Sequence, residues 1–105
     1  KSVMNLKSKN QGKNPDGLLK IRDEIDSLNR KLIKIVAKRT ALIPLVADYK
    51  IKNNLPRVDL EREKSIIEKC RRMAIEQEVN PDLIENIVKL LIEDAHRIEL
   101  KKMGK

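Results

Sequence analysis

One periodic stripe constrains this chain more than any other feature. Leu18, Ile21, Ile25, Leu28, Leu32 and Ile35 follow alternating steps of three and four, and the same step continues through Arg39 to Leu42, Val46 and Tyr49. Such a stripe is a heptad seam, the kind two helices bury between them. Asp16, or Asn14 with Pro15 behind it, supplies a start signal, and the predicted helix spans about 17–52. At 1.5 Å per residue it is about 50 Å long, whereas a compact monomer of this size has a radius of gyration of about 13 Å. The stripe therefore predicts a helix that packs against a copy of itself.

Pro44 interrupts the pattern locally. Proline removes one intrahelical bond, clashes with the carbonyl of Thr40 and disfavours α geometry at Ile43. The seam stays in phase on both sides, so the expectation is one long helix kinked at Pro44. Asn53-Asn54-Leu55-Pro56 reads as a loop. A second helix is predicted over 59–77, capped by Asp59, with Leu60, Ile67, Cys70 and Ala74 on its apolar face. Asn80-Pro81, a cap residue followed by proline at the first helical position, starts a third helix over 81–101. Its stripe is Ile84, Val88, Leu91, Ile92 and Ala95. No strand pattern and no internal repeat occur. The fold class is all-α, with three helices per chain, one long and two shorter.

Composition narrows the chemistry. One tyrosine is the whole aromatic content of the 105 residues, so no stacking platform for single-stranded nucleic acid can form. The single Cys70 excludes a disulfide framework or a cysteine-rich zinc site. No Gly-rich phosphate loop exists, and His96, the one histidine, is read as a polar-face residue rather than part of a triad or metal cluster. No metal and no cofactor are expected. The net charge is +8. Residues 1–16 read as a disordered basic tail containing Lys1, Lys7, Lys9 and Lys13, and 17–105 as the helical domain. No apolar run approaches a membrane span and no signal peptide is visible, so a cytoplasmic setting without a membrane partner is expected.

Polar residues on apolar faces are the candidates for function. Arg39 occupies a seam position, and a buried arginine is costly unless an anion meets it. Lys50, 11 residues on, shares its face about 16 Å away. Arg22 lies 17 residues before Arg39, about 25 Å along the helix; it cannot serve the same small ligand in one subunit, but in an antiparallel pair it can serve the partner's site. Each of the three is otherwise a solvated charge or an ion pair. Asp59, Arg62 and Glu63 cluster on one face of the second helix, either as a cap with a surface ion pair or as part of a site. Glu99 follows Val88 and Ile92 on the apolar face of the third helix, either at its frayed rim or inside a pocket. Any catalysis here works by positioning and electrostatics.

The segment Leu18-Leu19-Lys20-Ile21-Arg22-Asp23-Glu24-Ile25-Asp26-Ser27-Leu28-Asn29 resembles the opening of the all-helical (type II) chorismate mutases. So does Ala37-Lys38-Arg39. Val58-Asp59-Leu60-Glu61-Arg62-Glu63 resembles the start of that family's second helix, and Leu91-Ile92-Glu93-Asp94 its third-helix motif. The resemblance runs from about residue 18 to about 102, with four short motifs in order. It implies an intertwined helical homodimer whose two sites are each built from both subunits, and a Claisen rearrangement of chorismate to prephenate in phenylalanine and tyrosine biosynthesis. It also implies that Arg39, Lys50 and the partner subunit's Arg22 bind the two substrate carboxylates. Lys50 would bond the ether oxygen, Asp59 and Glu63 the ring hydroxyl, Arg62 would support them, and Glu99 would donate to the ether oxygen. Lys50, Glu99 and Arg39 are then the catalytic group.

Two departures stand out: Ala95 lies where many members carry a carboxylate-binding Ser, and Pro44 falls in the pocket-lining part of the long helix. An isochorismate–pyruvate lyase on the same scaffold is an alternative, which the acidic residues around Arg62 disfavour. A basic helical dimer that binds nucleic acid is another, but half of the excess charge lies in the tail and the helices mix both signs. Nucleic acid is not the expected partner.

Overall fold

The computed structural model describes residues 15–104; the expected basic tail lies, up to residue 14, outside the described residues. Three helices follow in order: α1 (Pro15–Lys52), α2 (Leu60–Glu76) and α3 (Pro81–Met103). Among the described residues there is no strand. Contacts divide the chain into two units, Lys1–Lys38 and Arg39–Lys105.

The described part of the first unit is the N-terminal stretch of α1. Its first helical residue is Pro15, as suits a residue whose missing N–H would be unpaired there in any case. Asp16 falls in the first turn, where a negative charge meets the positive end of the helix dipole. The seam residues Leu18, Ile21, Ile25, Leu28, Leu32 and Ile35 are all exposed, as are Leu19 and Ile33.

In the second unit α1 continues without a break through Pro44 to Lys52. Proline withdraws one N–H from the ladder and leaves the bonds on either side intact, so the in-phase seam wins over the local signal for a break. The helix then ends in a Schellman motif. Asn54 has a left-handed backbone (φ 55), Asn54 N–H bonds the carbonyl of Ile51 at 3.2 Å, and Leu55 N–H bonds that of Lys50 at 2.8 Å. Asparagine is the residue other than glycine that tolerates this position best.

Helix α2 begins at a cap: Asp59 Oδ1 accepts from Arg62 N–H at 3.0 Å. It closes with a second Schellman motif, in which Val79 N–H bonds Ala74 O at 2.8 Å and Glu78 N–H bonds Ile75 O at 3.1 Å. Here the left-handed residue is Glu78 (φ 59), a costly choice at about 1–2 kcal/mol. Asn80 caps α3 through Oδ1, which accepts from Asp82 N–H at 2.9 Å. Gly104 ends α3 in a left-handed conformation, its N–H on Leu100 O at 2.7 Å.

Helices α2 and α3 pack on each other around Ala74 and Val88, both buried. Ile67, Cys70, Ile84, Leu91, Ile92 and Ala95 are half-buried beside them, so both predicted stripes face the right way except at Leu60. That residue, the first of α2, is exposed. The buried apolar residues of the described chain are Ala47, Ala74 and Val88. Three small side chains supply only a few kcal/mol of burial, which leaves the apolar surface of α1 as the largest unused resource of the fold.

Candidate active site

The second unit gathers three of the predicted residues, Lys50, Glu63 and Glu99, and two that were not predicted, around the junction of α1, the 53–59 loop, α2 and α3. Lys50 sits in the last turn of α1. Its Nζ donates to Glu99 Oε2 at 2.9 Å and to the backbone carbonyl of Arg57 at 2.6 Å. Glu99 reaches that point from α3 as the one buried charged residue of the described chain. The side chains of Lys50 and Glu99 are 17% and 7% exposed. Glu99 is thus buried and not at a frayed rim. A cation and a carboxyl taken out of water together satisfy each other only if the geometry is good, and this pair has it.

Glu63, on the first turn of α2, takes no part in a surface ion pair with its neighbours in the Asp59–Arg62–Glu63 cluster. Its Oε2 instead meets His96 Nε2 of α3 at 2.7 Å. His96 Nδ1 in turn faces Arg57 Nη1 of the loop at 2.9 Å. Both were missed by sequence reasoning. His96 follows Ile92 by four residues and precedes Glu99 by three, so it borders the apolar face, and that spacing was the available signal. Arg57 carried none. Asp59 is exposed and caps α2, with Arg62 exposed beside it.

Arg39 is half-buried and makes no ion pair among the described residues. It stands three helical turns before Lys50. Arg22 is exposed in the first unit. Ala95 is half-buried on α3, one residue before His96. Beside Lys50, Leu42, Leu45, Val46, Tyr49 and Leu55 line an open apolar groove of about 430 Å³. Among the described residues no cluster of His, Cys, Asp or Glu is suited to a metal ion, and no helix is long and apolar enough to cross a membrane.

The fold and these contacts define an all-helical protein with a cation–carboxylate pair in its interior and further cations beside it. Residues 21–100 match the family described as Chorismate mutase type II, and the chain belongs to that family. A chorismate mutase of Methanocaldococcus jannaschii is 35% identical over 85 residues, which cover 81% of this chain and 84% of that protein. A bifunctional chorismate mutase/prephenate dehydratase of Buchnera aphidicola subsp. Schizaphis graminum is 34% identical over 88 residues, 84% of this chain and 23% of the relative. A T-protein of Enterobacter agglomerans is 34% identical over 85 residues, 81% of this chain and 23% of the relative. The chain therefore spans less than a quarter of the length of the bifunctional relative and of the T-protein.

Proposed function

We propose that this chain is a chorismate mutase, an isomerase that rearranges chorismate to prephenate. The observation that carries the reading is the meeting of Lys50 and Glu99 at 2.9 Å, from positions 49 residues apart, at a point closed to most solvent. In the rearrangement the ether C–O bond breaks as a new C–C bond forms, and negative charge develops on the ether oxygen. No group leaves the molecule and no nucleophile is needed. What the protein must supply is a compact conformation of a flexible dianion and donors aimed at that oxygen.

Lys50 suits the second task. An ammonium carries three protons; Arg57 O and Glu99 Oε2 take one each, and the third is left for the ether oxygen. Glu99, when protonated, adds a second donor. Arg39, half-buried in a seam and without an anion among the described residues, suits a substrate carboxylate, which a planar guanidinium bonds through both oxygens. Asp59 and Glu63 at the start of α2 take the ring hydroxyl, with Arg62 in support. Ala95 offers no hydroxyl, so any carboxylate contact there runs through water.

The working unit is a homodimer with shared sites, to which the partner subunit's Arg22 contributes. Its support is the exposed seam from Leu18 to Tyr49, set against a core of three small residues; a second α1 would bury that stripe. The activity is tested by loss of chorismate absorbance on adding the protein, with the product identified as prephenate. Formation of salicylate from isochorismate in its place would reassign the chain to the lyases. For the dimer, Arg22→Ala and Arg39→Ala are each expected to be nearly inactive, while refolded mixtures regain activity at about one intact site in two per mixed dimer. A mixture no more active than its parents refutes the shared site.

A further inference from the structure

The chain has one histidine, and its two ring nitrogens meet unlike partners. Arg57 Nη1 lies 2.9 Å from His96 Nδ1, and a guanidinium can only donate. Nδ1 must therefore accept, which leaves the single ring proton on Nε2. That nitrogen lies 2.7 Å from Glu63 Oε2 and donates to it. The contacts select the neutral Nε2–H tautomer. A second proton would set N–H against N–H at Arg57.

Arg57 also gives its backbone carbonyl to Lys50 Nζ at 2.6 Å. One loop residue thus touches both halves of the site: the Lys50–Glu99 pair through its backbone, and the His96–Glu63 pair through its side chain. None of these contacts is needed to form a helix. The charged groups around the imidazole are Glu63 from α2 and Arg57 from the loop, with Lys50 from α1 and Glu99 from α3 meeting behind the Arg57 carbonyl.

We propose that Arg57 and His96 are positioning residues, a relay that fixes the Glu63 carboxylate through Oε2 and leaves Oε1 to take a hydroxyl of the substrate. This rests on the function proposed above, so the test has an arm that does not depend on turnover. In the untagged, ¹⁵N-labelled full chain, His96 is the only source of imidazole nitrogen signals. At neutral pH the spectrum is expected to show a protonated Nε2 and a bare Nδ1, and Arg57→Ala should return the ring to a mixture of tautomers. A ring protonated at Nδ1, or an unchanged spectrum in Arg57→Ala, overturns the relay.

The kinetic arm uses chorismate. His96→Leu should raise KM on the order of tenfold, the loss of one charge-assisted hydrogen bond, with a smaller change in kcat. His96→Gln, whose amide offers both an acceptor and a donor, should restore most of it. In a Glu63→Gln background, His96→Leu should add little. A His96→Leu protein that folds and binds chorismate normally refutes the relay, and so does a His96→Gln protein no better than His96→Leu. Absence of turnover in the unaltered protein removes the catalytic function instead, and the spectrum then decides whether the relay exists.

Discussion

Replacing Lys50 by Met should damage this protein twice, and the two kinds of damage are separable. The first is to stability. Lys50 and Glu99 are 17% and 7% exposed, so the substitution strands a carboxylate that little water reaches. Removing one partner of a buried pair costs about 3–5 kcal/mol, and the residual exposure of Lys50 points to the lower end. The Arg57 carbonyl also loses its 2.6 Å donor, adding about 1 kcal/mol. Glu99→Gln is milder, because the amide oxygen still accepts from Nζ; weakening a charge-assisted bond to one between a cation and a neutral acceptor costs about 1 kcal/mol. In that background Lys50→Met strands no charge and should cost only about 2 kcal/mol. The coupling in the cycle is then about 2 kcal/mol. Urea unfolding followed by helical circular dichroism measures all four proteins, at one fixed protein concentration because association adds to stability. If Lys50→Met costs as much in the Glu99→Gln background as in the unaltered chain, the two residues are not a buried pair and the reasoning fails. The second damage is to catalysis: kcat should fall on the order of a hundredfold, as for loss of one preorganised donor. A rise in KM alone would make Lys50 a binding residue only.

Glu99→Gln should raise kcat, since its amide both accepts from Lys50 and donates through its NH2 group; an unchanged or lower kcat refutes a donor role at this position. Glu78→Gly should stabilise the chain by up to about 1 kcal/mol, since it relieves a left-handed side chain at φ 59 at the expense of a looser unfolded state, and an unchanged or lower urea midpoint counts against it. Glu85 bonds Lys89 at 2.7 Å and Arg71 at 2.8 Å. These contacts, Lys89 foremost, hold its carboxyl below the usual range, against a smaller opposing effect of burial. A lowered carboxyl stabilises the fold above the ordinary carboxylate range and loses that contribution as pH falls through its own value. The stability gap between the parent and Glu85→Gln should therefore be present at neutral pH and close in acid, and a gap that persists in acid contradicts the assignment.

The helices were legible because their signals are local. Asp59 and Asn80-Pro81 announce caps within four residues, and the seam from Leu18 to Tyr49 repeats often enough to outvote Pro44. Glu99 was legible as an oddity on an apolar face; no local spacing points to Lys50, 49 residues earlier, and only the family resemblance put the two at one place. The relay was illegible for the same reason. His96 is 33 residues from Glu63 and 39 from Arg57, and nothing in the local pattern distinguishes an imidazole that borders a core from one that faces water. Glu63 was legible only as part of the local cluster with Asp59 and Arg62, and the tertiary fold offered it His96. Leu60 shows the limit of stripes, since a residue in phase with an apolar face can still be exposed.

The end of α1 has a consequence for ligand binding. The backbone carbonyl of Lys50 is taken by Leu55 N–H at 2.8 Å, while its ammonium is held by Arg57 O two residues further along the same loop. The loop therefore grips this lysine at both ends. A free lysine side chain loses up to about 2 kcal/mol of rotamer entropy when it is ordered, and in a mobile site that loss falls on the binding step. Here it falls on folding. A ligand at this ammonium would meet a group already ordered, as a backbone amide is, rather than a mobile four-carbon chain.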